Sequence, residues 1–245
     1  MMLRTVAIAL LLAACAARAG ELEVVPVIVP LSRAEKSAVI HIKNRSAEPA
    51  RYQIDVLAWD QDEKGEMKLS PTQEVLAYPR SLALAPNEEK IVRVGAATGF
   101  GAVEKPYRLF IEEMPPPAKP DQPSRVQVLS RIGLPVFLAP ERPVEKLEIG
   151  AIQMEGKKIG FALQNLGNVH VRPTAVRVVL EDGAGKALDE RQLNAWYVLA
   201  GGRRVYDVEI PPEKCAAVKG VTVEVVLPKA PLRAHVDAPQ GACGS

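Results

Sequence analysis

Three observations predict an all-β chain built as two β-sandwich domains. Apolar residues recur at every second position through most of the chain. Turn residues and 21 prolines punctuate these runs. A proline-flanked join at 139–143 divides the strands into two series. Alternation over about 4–8 residues marks half-buried strands, and prolines at this density argue against a helical bundle.

Composition sets the outer bounds. The chain has 245 residues, enough for one large or two small domains with cores of their own. It is 48% hydrophobic and 24% charged, which excludes disorder, collagen and coiled coil. Its 31 basic and 29 acidic residues give no electrostatic case for nucleic acid.

Residues 1–19 read as a signal peptide. Arg4 supplies a positive charge, and 6–14 is a continuous apolar run too short to span a bilayer. Ala17-Arg18-Ala19 forms an A-x-A cleavage site before Gly20. Removal takes away Arg4 and Arg18 and leaves 29 basic residues against 29 acidic ones. Leu12-Ala13-Ala14-Cys15 also fits a lipoprotein-type site, with Cys15 as a lipidated N-terminus. No later segment is apolar and long enough for a membrane span. Export points to an oxidising compartment, where Cys215 and Cys243 most simply form a disulfide. The loop so closed is worth about 3–4 kcal/mol by the chain-entropy model; the alternative is two unpaired thiols.

The first strand series begins with Leu22-Glu23-Val24-Val25 leading into Val27-Ile28-Val29. Ala38, Ile40 and Ile42 then share one face, opposite Val39, His41 and Lys43. Tyr52, Ile54, Val56 and Ala58 alternate with Gln53, Asp55 and Leu57. Leu82 and Leu84, Val92 and Val94, and Tyr107, Leu109 and Ile111 repeat the habit. Asn44-Arg45-Ser46, Glu63-Lys64-Gly65 and Pro86-Asn87 are turn material between them. About seven strands over 22–138 match the count and spacing of an immunoglobulin-like sandwich. The proline-rich stretch at 115–123 is a loop before the last strand, because proline has no N–H for a ladder.

The domains are therefore expected at 20–140 and 141–245, with the join at Ala139-Pro140-Glu141-Arg142-Pro143. In the second series Ile159, Phe161 and Leu163 alternate, as do Val176, Val178 and Leu180. The segment 181–186 is a hairpin-type turn, and strands follow over 205–210 and 221–225. The two halves share an architecture but no alignable repeat.

Catalytic constellations are missing from the pattern. His41, His170 and His235 are scattered, and no pair has metal-ligand spacing, so no metal or cofactor is expected. There is no phosphate loop and no nucleophile elbow. Glu88-Glu89 and Glu112-Glu113 are adjacent acids, which on a strand point to opposite faces. A binding protein is expected rather than an enzyme.

Several segments, in order, resemble the periplasmic pilus-assembly chaperones of the PapD-like family. Leu22-Glu23-Val24-Val25-Pro26 is similar to the family's opening strand, and the segment 38–44 ends in its strand-ending asparagine, Asn44. The segment 52–59 ends in the tryptophan typical of the third strand, Trp59. Residues 84–94 resemble the family's L-x-P-G-x-x-Q-x-V-R segment. Residues 107–115 resemble its Y-R-L-x-x-x-E-x-P, and 126–137 its long last strand. Matches at 165–170 and 197–201 extend the resemblance over nearly the whole mature chain.

The resemblance implies a mechanism. Pilus subunits are sandwiches lacking a final strand, and the chaperone lends its own. Val126, Val128 and Ile132 recur at spacing two with Ser130 in the same row, which makes this row the expected donor face. Leu129 and Leu134 are expected to supply the inward face. Well-studied members hold the subunit's C-terminal carboxylate with an arginine on the first strand and a lysine on the last. Here Ile28 stands at the first position, and Gly133 or Pro135 at the second. The departure is similar to the divergent branch called alternative or archaic, and leaves Arg93, Arg131 and then Arg108 as candidate carboxylate anchors. Glu104 aligns with an acid that pairs across the two domains, with Arg142 as its expected partner.

The resemblance thus implies a soluble periplasmic chaperone with two immunoglobulin-like β-sandwich domains set at an angle. Its partners would be pilus or fimbrial subunits and an outer-membrane usher. Edge strands would offer a route to self-association when it is free. The rival expectation is a lipid-anchored or surface β-sandwich adhesin.

Overall fold

The structure, a computed structural model, describes residues 22–116 and 128–239. The expected signal peptide, Cys15, Val126 and Cys243 lie outside the described residues.

The N-terminal sandwich contains β1 (Leu22–Val25), β2 (Val29–Leu31), β3 (Ser37–Asn44), β4 (Ala50–Gln61) and β5 (Met67–Pro71). It continues with β6 (Val75–Tyr78), β7 (Ser81–Leu84), β8 (Glu89–Ala96), β9 (Lys105–Met114) and β10 (Arg131–Leu138). One sheet has the order β1-β3-β8-β6. The facing sheet has the order β2-β10-β9-β4-β5, with β7 also on β4.

The first strand is not continuous. At Pro26 the chain leaves β3, to which β1 pairs, and crosses to β10, against which β2 lies parallel. Strand β5 was invisible to alternation because it is an edge strand exposed along its whole length. With no buried face, no period-two pattern is selected.

The C-terminal sandwich contains β11 (Leu147–Ile149), β12 (Gln153–Glu155), β13 (Lys158–Asn165), β14 (Ala175–Glu181) and β15 (Ala187–Leu193). After β16 (Arg203–Glu209) and the single-turn helix α1 (Pro212–Cys215) come β17 (Gly220–Val226) and β18 (Leu232–Asp237). Strands β11, β12 and β16 all pair with β13, and the facing sheet runs β15-β14-β17-β18. No helix among the described residues is long and apolar enough to cross a membrane.

Each sandwich has its own core. Ile40, Ile42, Tyr52, Ile54, Val92, Val94, Leu109, Ile111 and Val136 fill the first. Ile159, Leu163, Val176, Val178, Leu180, Val221 and Val223 fill the second. The alternating residues named from the sequence are thus the inward rows of facing sheets, and burial of such side chains drives the pairing.

Two buried asparagines close corresponding corners. Asn44 Nδ2 donates to the carbonyls of Glu48, Leu84 and Ala85, while its Oδ1 accepts the N–H of Ser46. In the second sandwich Asn165 Nδ2 donates to the carbonyls of Val169, Val198 and Leu199, and its Oδ1 accepts the N–H of Gly167. Both side chains supply donors that irregular backbone carbonyls lack from a ladder.

The sandwiches meet through a third apolar cluster. Trp59 and Phe137 of the first pack with Tyr197 and Leu199 of the second, with Ile28 and Trp196 against them. A second contact lies at the β4–β5 turn. There Val205 N–H donates to the Glu63 carbonyl at 2.7 Å and Arg203 Nη1 approaches the Glu63 carboxylate at 2.9 Å.

Candidate functional site

Strand β10 is paired on both edges over only part of its length. Strand β9 pairs with all of it, from Arg131 to Leu138. Strand β2 takes the other edge only at Val136, Phe137 and Leu138. Over 131–135 no described strand lies on that second edge. Glu113 N–H donates to the Ser130 carbonyl, opposite it in register. By antiparallel alternation Ile132 and Leu134 also turn their backbone groups to β9. Arg131 and Gly133 turn theirs to the open edge. Pro135, with no N–H, stands where the open part ends.

The expected donor row has an inner and an outer part. Ile132 is half-buried against the first core, in the same row as Leu134, Val136 and Leu138. Ser130 is held by Glu113, whose Oε2 accepts its hydroxyl at 2.9 Å. Val128 is 82% exposed. The division expected from the sequence therefore needs correcting. Leu134 lies in the row of Ile132, not opposite it, and Leu129, of the other parity, is exposed. Within the domain this row is core; towards 128 the row has no core beneath it.

The outer face of the β10-β9-β4 sheet turns toward the junction and carries successive rungs across the strands. Leu57, Arg108 and Pro135 stand side by side, then Asp55, Phe110 and Gly133, then Gln53, Glu112 and Arg131. The expected anchors are placed very differently on this frame. Arg93 is not on it. It is an exposed residue of β8, in the opposite sheet, between Val39 and Tyr78. Arg131 is on the face but already engaged: its Nε lies 3.3 Å from Glu112 and its guanidinium 4.1 Å from the centre of the Phe110 ring.

Arg108 stands nearest the junction and is only 4% exposed. Its guanidinium lies 4.0 Å from the centre of the Trp59 ring, 5.6 Å from Trp196 and 5.9 Å from Tyr197. Its Nε and Nη2, and the nearby Trp59 Nε1, meet no acceptor among the described residues. Burial pushes the Arg108 pKa below the usual arginine value. Tyr197 opposes this shift and the charge of Arg172 adds to it. Among the described residues this buried cation is boxed by aromatic rings and has no carboxylate beside it.

The positions of the usual anchor are occupied for structural reasons. Ile28 packs against the junction cluster, where a charge would be buried among aromatic rings. A side chain at 133 would meet Phe110, since a Cβ there lies 3.0 Å from its Cε1. Pro135 is buried beside Arg108.

Glu104 and Arg142 also need correction as a pair. The Glu104 carboxylate is bonded to His170, whose backbone N–H it accepts at 2.8 Å and whose Nδ1 lies at 2.7 Å. Arg142 contributes its carbonyl, which accepts Asn168 Nδ2 at 3.0 Å. His170 in turn stacks on Phe137, with ring centroids 3.8 Å apart. Neither His170 nor the Trp196–Tyr197 pair was singled out as functional from the sequence. The adjacent aromatics, in a chain only 4% aromatic, were the available signal.

Cys215 is buried at the end of α1. Among the described residues no group of three His, Cys, Asp or Glu side chains is arranged to hold a metal.

No curated protein matches the chain by sequence. Among solved structures, the CsuC-CsuE chaperone-tip adhesion subunit pre-assembly complex from archaic chaperone-usher Csu pili of Acinetobacter baumannii contains a similar chain. It is 17% identical, with a TM-score of 0.59, over 88% of this chain and 98% of that one. The class 5 fimbriae chaperone CfaA is 12% identical with a TM-score of 0.56, and the CupB2 chaperone of Pseudomonas aeruginosa is 16% identical with a TM-score of 0.52. Both cover 88% of this chain and 98% of their own. At these identities the likeness is one of fold. Residues 21–143 match the family described as pili and flagellar-assembly chaperone, PapD N-terminal domain. That is half of the chain and contains both the half-paired β10 and Arg108, and the chain belongs to the PapD-like family of pilus chaperones.

Proposed function

We propose that this protein binds pilus subunits by lending them β10. The observation that carries the reading is the open edge of β10 over 131–135, continued by the exposed Val128. An incomplete sandwich laid along that edge gains main-chain hydrogen bonds from Arg131 and Gly133. It also receives Val128, with Val126 and Ser130 of the same row, into its groove. Ile132 anchors the lent segment in the chaperone's own core.

Arg108 is the residue we assign to the subunit's C-terminal carboxylate. It replaces Arg93 and Arg131 as first choice because it is at the junction, buried and without a carboxylate among the described residues. A carboxylate there would meet preorganised donors in a setting poor in water, where a charge-assisted hydrogen bond is strongest. The apolar Ile28 and the absent lysine on β10 support placement in the archaic or alternative branch.

In this reading residues 1–19 direct export, and the mature protein works in the periplasm with domains at 20–140 and 141–245. A Cys215–Cys243 bridge would tie the C-terminal tail to the second sandwich. Delivery to an outer-membrane usher completes the cycle, and no cofactor takes part because the energy comes from subunit folding.

Co-expression with candidate subunits tests the reading. The wild-type chain is expected to co-purify with its subunit, and Val128→Glu to lose it while keeping its own unfolding midpoint. Undiminished capture by Val128→Glu would refute the donor face.

A further inference from the structure

We propose that Arg172 of the C-terminal sandwich is the second prong of the carboxylate anchor, so that a subunit's C-terminus is clasped between the two domains. The inference rests on the assignment of Arg108 above, and adds a specificity-determining residue from the other domain.

Arg172 lies just after the bridge formed by Val171 and Val198, at the start of the segment that faces the junction. Its guanidinium is 5.2 Å from the centre of the Tyr197 ring. The same ring has the Arg108 guanidinium 5.9 Å from its centre. Two cations from different domains therefore share one aromatic neighbour. Neither makes an ion pair with any acid among the described residues, unlike Arg131, Arg177 and Arg203, which pair with Glu112, Glu224 and Glu63. The two also sense each other, since the Arg172 charge pushes the Arg108 pKa down.

Two like charges beside one ring, with no counter-ion among the described residues, are unfavourable until an anion arrives. A terminal carboxylate has two oxygens, and two guanidiniums satisfy both. Arg108 is buried and fixed by its aromatic box, whereas Arg172 is exposed. The division of labour follows: Arg108 sets the position of the carboxylate, and Arg172 closes over it from the solvent side. A side-chain carboxylate carried on a bulky loop does not enter beneath Arg172 as a chain end does, which makes the pair selective for a terminus.

The test uses the pilus subunit that the wild-type chain captures, in two forms: one with its natural C-terminus, the other extended by two alanines. Arg172→Gln is expected to weaken capture of the natural form about tenfold, the scale of one charge-assisted hydrogen bond. Capture of the extended form should hardly change, so discrimination between the two shrinks. Arg172→Lys should keep most of the discrimination. Because Arg172 is exposed, its contribution should also fade as salt is raised to about 0.5 M.

Loss of both forms equally by Arg172→Gln would mean a merely structural role and overturn the proposal. Unchanged discrimination by Arg172→Gln, with Arg108→Gln abolishing it, would overturn the role of Arg172 and leave that of Arg108. Unchanged discrimination by both variants, with Val128→Glu still abolishing capture, would overturn the anchor and leave strand donation. Failure of the wild-type chain to capture any subunit would overturn both readings.

Discussion

One carboxylate oxygen of Glu104 accepts both the backbone N–H and the ring Nδ1 contact of His170, at 2.8 and 2.7 Å. Glu104 belongs to the N-terminal sandwich and His170 to the other, so this side chain is one of the ties across the domain junction. The contact also reaches β10, because the His170 ring lies flat on Phe137. The strand proposed for donation is thus seated against the junction by stacking at Phe137, where it is also paired with β2 and β9.

Glu104→Ala should therefore loosen the junction. The side chain is 5% exposed, and its removal strands a half-buried N–H and an imidazole nitrogen. The expected loss is about 2 kcal/mol of unfolding free energy, read from urea denaturation. Glu104→Gln, which keeps an acceptor, should lose less.

Ile132 and Val128 should separate stability from capture. Ile132 packs on the first core, so Ile132→Ala is expected to cost about 1–2 kcal/mol of stability and to weaken capture as well. Val128 has no core beneath it, so Val128→Ala should leave the urea midpoint unchanged and weaken capture alone.

Restoring a lysine at 133 should not restore the usual anchor. The first side-chain carbon would stand 3.0 Å from the Phe110 ring, which in turn carries the Arg131 guanidinium. Gly133→Lys is expected to lose about 1–3 kcal/mol of stability, as overpacking does. Pairing it with Phe110→Ala should recover part of that loss, and a double-mutant cycle on unfolding free energies measures the coupling.

Acid should weaken the first sandwich through Glu74. Its carboxylate accepts hydrogen bonds from Lys105 Nζ at 2.6 Å and from the Tyr107 hydroxyl at 2.5 Å. The Lys105 bond, then the Tyr107 bond, hold its pKa below the ordinary 4.5, while burial opposes them. A carboxyl whose pKa is depressed by folding stabilises above the unfolded value, and that contribution disappears as pH falls through the folded value. Both Glu74 and Lys105 are substantially exposed, so the effect is at most about 1 kcal/mol. Glu74→Gln should be less stable than wild type at neutral pH and equal to it near pH 2, in urea midpoints measured at both.

The two sandwiches were legible because their strands have one wet and one dry face. Tyr52, Ile54, Tyr107, Leu109, Val176 and Val178 announce the core by alternation, and all are buried. Met67–Pro71 was silent because both of its faces are exposed. The matched corners built on Asn44 and Asn165 were also silent as a repeat. Each asparagine is defined by the three carbonyls it satisfies, and two of the three come from residues far along the chain.

The candidate site was legible only in part. Its strand could be named from the apolar row at 126–132, because spacing along one strand is a local property. The sequence orders its anchors Arg93, Arg131 and then Arg108 without any local signal of burial. Arg93, Arg108 and Arg131 look alike as single arginines on strands, yet one is exposed on the opposite sheet, one paired to Glu112, and one buried.

The sequence by itself determined the strand faces, the two cores and the family, because alternation and short motifs depend on neighbours in the chain. Only the tertiary structure decided that Glu104 takes His170 instead of Arg142, and that Arg108 is buried at the junction with no acid beside it among the described residues. Desolvation and ion pairing act through space, and the residues that exert them on Arg108, from Trp59 to Tyr197, are brought together by packing of two domains.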